Sequence, residues 1–70
     1  MSKLLSSFND EYEKILHSGL SEDQKTMEYS SLMTEMEHEF KIPIIRDPEW
    51  ERENRKIIAL YRKISMSRKL

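Results

Sequence analysis

Apolar side chains recur along this chain at alternating intervals of three and four residues, in three separate stretches. This spacing places the apolar positions of each stretch on one face of an α-helix. The sequence therefore predicts three amphipathic helices. Their apolar positions are Leu5, Phe8, Tyr12 and Ile15 in the first, Tyr29, Met33, Met36 and Phe40 in the second, and Trp50, Ile57, Tyr61 and Ile64 in the third.

The residues between these stretches are typical of helix ends. Gly19 follows the first stretch and is expected at the C′ position, where a left-handed backbone favours glycine. Ser21 and Gln24 form a capping box for the second helix. Asp47 and Pro48 supply the N-cap and the first position of the third. The expected helices span about residues 2–18, 22–40 and 48–67.

The connections between the helices limit the architecture. The short first connection indicates that helices one and two form an antiparallel hairpin. The second connection, residues 41–47, is called the link below. It is long enough for helix three to pack on its own hairpin or on a neighbouring chain. The expected fold class is all-α, with one domain over residues 1–70 that forms a small three-helix bundle or a helical dimer.

Asn54 interrupts the apolar stripe of the third helix between Trp50 and Ile57. A polar residue on a helix–helix seam can fix the register or the oligomeric state at some cost in stability. The alternative interpretation is that Asn54 lies at the edge of the stripe and contacts solvent. Both interpretations assume that the third helix is continuous.

Composition supports the helical prediction and excludes several classes of protein. Valine is absent, glycine occurs once and charged residues make up 36% of the chain, which excludes an all-β fold with its hairpin turns. The absence of cysteine excludes disulfides, thiolate metal sites and thiol chemistry. No apolar run approaches the roughly 18 residues of a membrane span, and the first 20 residues lack a signal-peptide core. We therefore expect a soluble cytoplasmic protein without a membrane partner.

The chain is short for a stable fold. It has 70 residues, and a domain of this size buries only about 60% of the surface that its unfolded form exposes. The core of such a domain rarely supplies more than about 3–5 kcal/mol, so small proteins often gain stability from disulfides, a metal or a partner chain. Because cysteine is absent, we expect a partner chain, and a homo-oligomer in particular.

Charge is distributed unevenly, although the net charge is only −1. Residues 1–40 carry nine Asp or Glu and three Lys, whereas residues 41–70 carry nine Lys or Arg and four Asp or Glu. The acids at the end of helix two oppose its dipole. In a bundle they gather with those at the start of helix three at one pole, or they form an ordinary solvated surface. These seven acids are Glu35, Glu37, Glu39, Asp47, Glu49, Glu51 and Glu53.

Nucleic-acid binding is one alternative function. The third predicted helix carries a basic strip with one aromatic residue, and little more is needed for contacts with phosphates. The acidic first half of the chain and the long link argue against this alternative, because a helix-turn-helix needs a short turn. The strip consists of Arg52, Arg55, Lys56, Tyr61, Arg62, Lys63, Arg68 and Lys69.

Metal binding through Glu35 and His38 is a second alternative, since this pair matches the Glu-x-x-His element of di-iron helical bundles. A complete site needs a second such element, but His17 follows Glu13 by four residues. The competing interpretation is a solvated or salt-bridged His38. No nucleophile motif is present, and a single glycine excludes a phosphate-binding glycine loop. We therefore expect no enzyme activity and no cofactor.

The link contains Ile42, Pro43, Ile44 and Ile45, which lie outside the predicted helices. These isoleucines either cap the core or form an exposed apolar segment that binds a partner. We expect a small non-catalytic regulator, inhibitor or adaptor that binds another protein, whose identity the sequence does not disclose. Aromatic and arginine residues are the usual energetic anchors of interfaces, and Arg62 and Lys63 are expected to supply charge complementarity. The residues predicted to contact the partner are Ile44, Ile45, Trp50, Tyr61, Arg62 and Lys63.

Overall fold

The computed structural model describes residues 4–68, and every regular element in this part of the chain is an α-helix. The all-α prediction is confirmed. The predicted start of the first helix at residue 2 lies outside the described residues, and that helix ends two residues earlier than expected. The helices are α1 over Leu5–Leu16, α2 over Glu22–Phe40, α3 over Pro48–Glu53 and α4 over Arg55–Ser67.

Helices α1 and α2 form the predicted antiparallel hairpin. The ring centroids of Phe8 and Phe40 lie 5.3 Å apart, and those of Tyr12 and Tyr29 lie 5.6 Å apart, so the start of α1 faces the end of α2. The predicted capping box opens α2. The Ser21 hydroxyl accepts the backbone N–H of Gln24, and the Gln24 side chain accepts that of Ser21, both at 3.2 Å.

The left-handed backbone position occurs at Lys41, the C-cap of α2, where φ is 56° and ψ is 45°. Gly19 does not have a positive φ, so its predicted C′ role is wrong. Helix α1 instead ends with the Ser18 hydroxyl donating to the Ile15 carbonyl at 2.7 Å, which satisfies a terminal acceptor without a left-handed residue. A left-handed lysine costs roughly 1–2 kcal/mol, which the surrounding contacts of the link must offset.

Helix α2 lies at the centre of the bundle and contacts both α1 and α4. Helix α4 runs antiparallel to α2, because the Tyr61 hydroxyl donates to Glu37 and the Arg68 guanidinium donates to Ser30 at 3.4 Å. Helix α4 therefore packs on the α1–α2 hairpin of the same chain, and together they form a bundle. Among the four described helices, α3 contacts only α4. The core consists of Phe8, Tyr12, Tyr29, Leu32, Met33, Met36, Ile42, Leu60 and Ile64.

Asn54 divides the third predicted helix into α3 and α4. Its backbone, with φ −126° and ψ 46°, is not helical, and it serves as the C-cap of α3 and the N-cap of α4. The Asn54 side-chain amide donates to the Trp50 carbonyl at 2.9 Å, and its backbone N–H donates to the same oxygen at 3.0 Å. The prediction of one continuous helix over 48–67 is therefore wrong, because Asn54 bonds the backbone and ends α3.

Candidate partner-binding surface

The link directs its three isoleucines to different environments. Ile42 is 9% exposed and belongs to the core, whereas Ile44 is 104% and Ile45 is 82% exposed. The core-capping interpretation holds for Ile42, and Ile44 and Ile45 have the exposure that the partner-binding interpretation requires. Ile42 covers the end of the bundle, and the two following isoleucines form an exposed apolar pair.

Hydrogen bonds fix both ends of the link. At its start, the backbone N–H of Ile42 donates to the Glu37 carbonyl at 3.2 Å. At its end, the Asp47 carboxylate accepts the backbone N–H groups of Glu49 and Trp50, each at 3.1 Å, as predicted for an N-cap. The exposed pair is thus carried by a segment that is bonded to α2 on one side and to α3 on the other.

A cleft of about 430 Å³ lies beside the exposed pair, between the end of α2, the link and α4. Its apolar lining comes from the link and from an aromatic ring on α4, and its polar lining comes from α2. We call this cleft, together with Ile44 and Ile45, the isoleucine surface. The residues that line the cleft are Glu37, His38, Ile42, Pro43, Ile44 and Tyr61.

Tyr61 connects the two helices that border the cleft. Its hydroxyl, on α4, donates a hydrogen bond to the Glu37 carboxylate on α2. Partial burial, that hydrogen bond and the negative charge of Glu37 raise the pKa of Tyr61 to about 12, against an opposing effect of Arg68. The hydroxyl therefore stays protonated as a donor over the physiological pH range, and it holds α4 against α2 at this wall of the cleft.

This hydrogen bond predicts a loss of stability at high pH. The tyrosine pKa is 10.0 ordinarily and about 12 at Tyr61 in the folded chain, so between these values the unfolded chain loses a proton that the folded chain retains. The free energy of unfolding should therefore fall as pH rises through this interval. Urea unfolding followed by circular dichroism should show a steeper fall for the wild type than for Tyr61→Phe. Equal pH dependence in the two proteins would contradict the role assigned to this bond.

The structure separates the six residues that the sequence predicted to contact a partner. Ile44, Ile45 and Tyr61 belong to the isoleucine surface, whereas Trp50 is half-buried and packs against the core. Arg62 and Lys63 already make contacts within the chain. Arg62 forms an ion pair with Glu51, and the Lys63 ammonium lies 5.3 Å from the centre of the Tyr12 ring on α1.

Two cleft residues on α2, Glu37 and His38, were not predicted as part of a protein-binding surface. Their contribution depends on α4 lying antiparallel to α2, which a local pattern does not encode. Pro43 was predicted as part of the link, but its place in the cleft lining was not. The sequence contained one local indication that α2 borders the link. Lys41 and Ile42 follow Glu37 by four and five residues, which puts one helical turn of α2 beside the start of the link.

The predicted metal pair lies in a shallower groove on α2. Glu35 and His38 both line this groove, together with Phe8, Thr34 and Glu39. His17 lies at the other end of the hairpin and pairs with Glu13 at 3.4 Å. Within residues 4–68, no three histidine, aspartate or glutamate side chains converge on a position where a metal ion could bind.

The basic strip on the last helix is divided by contacts within the chain. Arg62 and Lys63 are engaged as described, and the Arg68 guanidinium donates to Ser30 and to Ser65. Lys69 lies outside the described residues. The exposed remainder surrounds the break at Asn54 and consists of Arg52, Arg55 and Lys56.

Some of the predicted acidic pole is also used within the chain. Glu51, whose side chain is 15% exposed, pairs with Arg46 at 3.6 Å and with Arg62. Asp47 caps α3, and Glu37 accepts the Tyr61 hydroxyl. Glu51 and Asp47 thus help to fix the link and α3, and Glu37 holds α4 against α2, so these three acids present less charge to other molecules.

None of the helices in the described part of the chain has the length and apolar character that crossing a membrane requires. The chain matches no protein-family model, and no curated protein or solved structure is significantly similar to it.

Proposed function

We propose that this protein acts without catalysis, as a regulator, inhibitor or adaptor that binds another protein through the isoleucine surface. The supporting observation is the exposure of Ile44 and Ile45, two adjacent apolar side chains on a link that hydrogen bonds fix at both ends. Exposed apolar patches of this kind are typical of interaction sites. The protein acts in the cytoplasm, as expected from the composition.

The fixed link favours binding energetically. A partner that covers Ile44 and Ile45 gains the burial of both side chains, about 1.5–3 kcal/mol each. Because the link is already ordered, little conformational entropy is lost when the partner binds. The adjacent cleft provides space for an apolar side chain of the partner, and Glu37 and His38 at its edge provide polar contacts.

Nucleic-acid binding has less support than protein binding. It requires a continuous set of free cations, whereas Arg62, Lys63 and Arg68 are engaged with Glu51, Tyr12 and Ser30. These engaged residues form the C-terminal part of the predicted strip. A gel-shift titration at low salt tests this alternative, because phosphate contacts are strongest there.

The proposed function is tested by affinity capture with matched variants. The chain offers a control in Met27 and Met66, two apolar side chains that are 71% and 85% exposed but lie outside the isoleucine surface. The wild type and Met27→Ser/Met66→Ser should capture the same protein from a cytoplasmic extract. Ile44→Ser/Ile45→Ser should bind it at least about 100-fold more weakly, since about 3 kcal/mol or more of apolar burial is lost.

Circular dichroism at protein concentrations low enough for the chain to be monomeric must show that the two double variants melt like the wild type, as expected for side chains that are exposed in the single chain. Once the captured protein is purified, its affinity for each variant can be measured by titration calorimetry. Undiminished binding by Ile44→Ser/Ile45→Ser would exclude the isoleucine surface as the binding site.

A further inference from the structure

The isoleucine surface contains a protruding part and a recessed part side by side. Ile44 is fully exposed and also lines the cleft, and Ile45 beside it is 82% exposed. The rest of the apolar lining comes from Ile42, Pro43 and Tyr61. A two-fold interface requires such an arrangement, because each copy must supply the protrusion for the recess of the other.

The charges on this surface are arranged in the same complementary way. Lys41 and Arg46 flank the protruding isoleucines on the link, and both are exposed, although Arg46 also pairs with Glu51 at 3.6 Å within the chain. The recessed part is acidic through Glu37, an exposed residue on α2 whose carboxylate keeps its negative charge while it accepts the Tyr61 hydroxyl. A two-fold rotation that inserts the link of one copy into the cleft of the other brings the basic margin towards the acidic margin, and it does so twice.

We infer that the partner of the isoleucine surface is a second copy of this chain, in a two-fold dimer in which Ile44 of each protomer enters the cleft of the other. This inference rests on the proposed function, because it names the partner of the same surface. The observation that supports it is that the apolar protrusion and the basic margin lie next to an apolar recess with an acidic wall.

Dimerisation also accounts for the small size of the core. Within residues 4–68, the core of one chain contains nine buried apolar residues, and a domain of this size often needs a further source of stability. The dimer buries Ile44 and Ile45 of both protomers, four large side chains that a single chain leaves in water. The same contact thus removes the most exposed isoleucines from water and enlarges the buried apolar volume.

The first test measures molar mass by light scattering over a range of protein concentrations. The wild type and Met27→Ser/Met66→Ser should both shift from monomer to dimer as the concentration rises. Ile44→Ser/Ile45→Ser should dimerise at least about 100-fold more weakly, as expected when apolar anchors at the centre of an interface are removed. Circular dichroism of the same samples checks that each variant is folded.

The second test uses the absence of cysteine to locate the contact. Ile44→Cys and His38→Cys are purified as separate single variants of different mass, mixed and oxidised. The mixed disulfide should form at least about tenfold faster than between His38→Cys and Met66→Cys, because the dimer holds the first pair at a high effective concentration. Mass spectrometry identifies the products.

The possible outcomes separate this inference from the proposed function. A wild type that stays monomeric at the highest soluble concentration overturns the dimer, and the proposed function then stands if capture of a different protein still requires Ile44 and Ile45. A dimer that persists unchanged in Ile44→Ser/Ile45→Ser, or equal disulfide rates in the two mixtures, also overturns the inferred geometry.

Discussion

Replacing Ile64 by alanine should remove much of the stability of the single folded chain, whereas the same replacement at Ile44 should leave it almost unchanged. Ile64 is 0% exposed and lies in the core on α4, while Ile44 is 104% exposed. Truncating a buried isoleucine costs about 2–5 kcal/mol, because apolar burial is lost and a cavity remains. At about 0.05–0.15 kcal/mol per residue, a chain of this length is stabilised by only about 3.5–10 kcal/mol.

Chemical denaturation monitored by circular dichroism measures both effects. We expect the urea midpoint of Ile64→Ala to fall sharply or the variant to be unfolded in buffer. At protein concentrations low enough for the chain to be monomeric, we expect Ile44→Ala to change the free energy of unfolding by no more than about 0.5 kcal/mol. Because both variants remove the same atoms from the same type of residue, each controls for the other. Equal small effects would mean that α4 does not pack on the hairpin in solution.

Replacing Glu51 by glutamine should release α3 from the bundle. Glu51 pairs with Arg46 on the link and with Arg62 on α4, and its side chain is 15% exposed. The charge is lost in Glu51→Gln while the shape is kept. Hydrogen bonds to charged groups stabilise a fold more than neutral ones do, but the exposure of both arginines weakens these ion pairs. We therefore expect the free energy of unfolding to fall by about 1–2 kcal/mol.

The fluorescence of Trp50 reports this change locally, because it is the single tryptophan of the chain and lies on α3, half-buried against the core. In Glu51→Gln its emission should shift to longer wavelength at a lower temperature than the loss of helical circular dichroism. Glu53→Gln is the matched control, an exposed acid on the same helix that pairs with no described cation. High salt should reduce the difference between wild type and Glu51→Gln; identical melting of the two glutamine variants would refute the role of Glu51.

The helix ends show which parts of the fold could be predicted locally. The capping box of Ser21 and Gln24 and the N-cap Asp47 with Pro48 formed as predicted, because each involves atoms within three residues of one another. The break at Asn54 was missed, since its neighbours are good helix formers and neither proline nor glycine marks it. The available signal was asparagine itself, whose side chain competes for backbone hydrogen bonds.

The candidate site was only partly predictable for a different reason. The apolar character of the link identified Ile44 and Ile45, but Ile42 shares that character and is buried. The cleft forms where α4 lies against α2, and the ion pairs of Arg62 and Glu51 depend on the same packing. Residues distant in sequence create both features, so neither spacing nor composition could show that Arg62 and Lys63 make contacts within the chain.

The sequence by itself determined that this protein is helical, that its first two helices form an antiparallel hairpin, and where the link begins and ends. Those properties follow from the period of the apolar positions and from capping residues, which act over a few bonds. Only the tertiary structure decided which isoleucine is buried, that the last helix packs on its own hairpin, and that a cleft lies beside the exposed pair. Burial depends on which surfaces meet, and that is fixed by the packing of all the helices together.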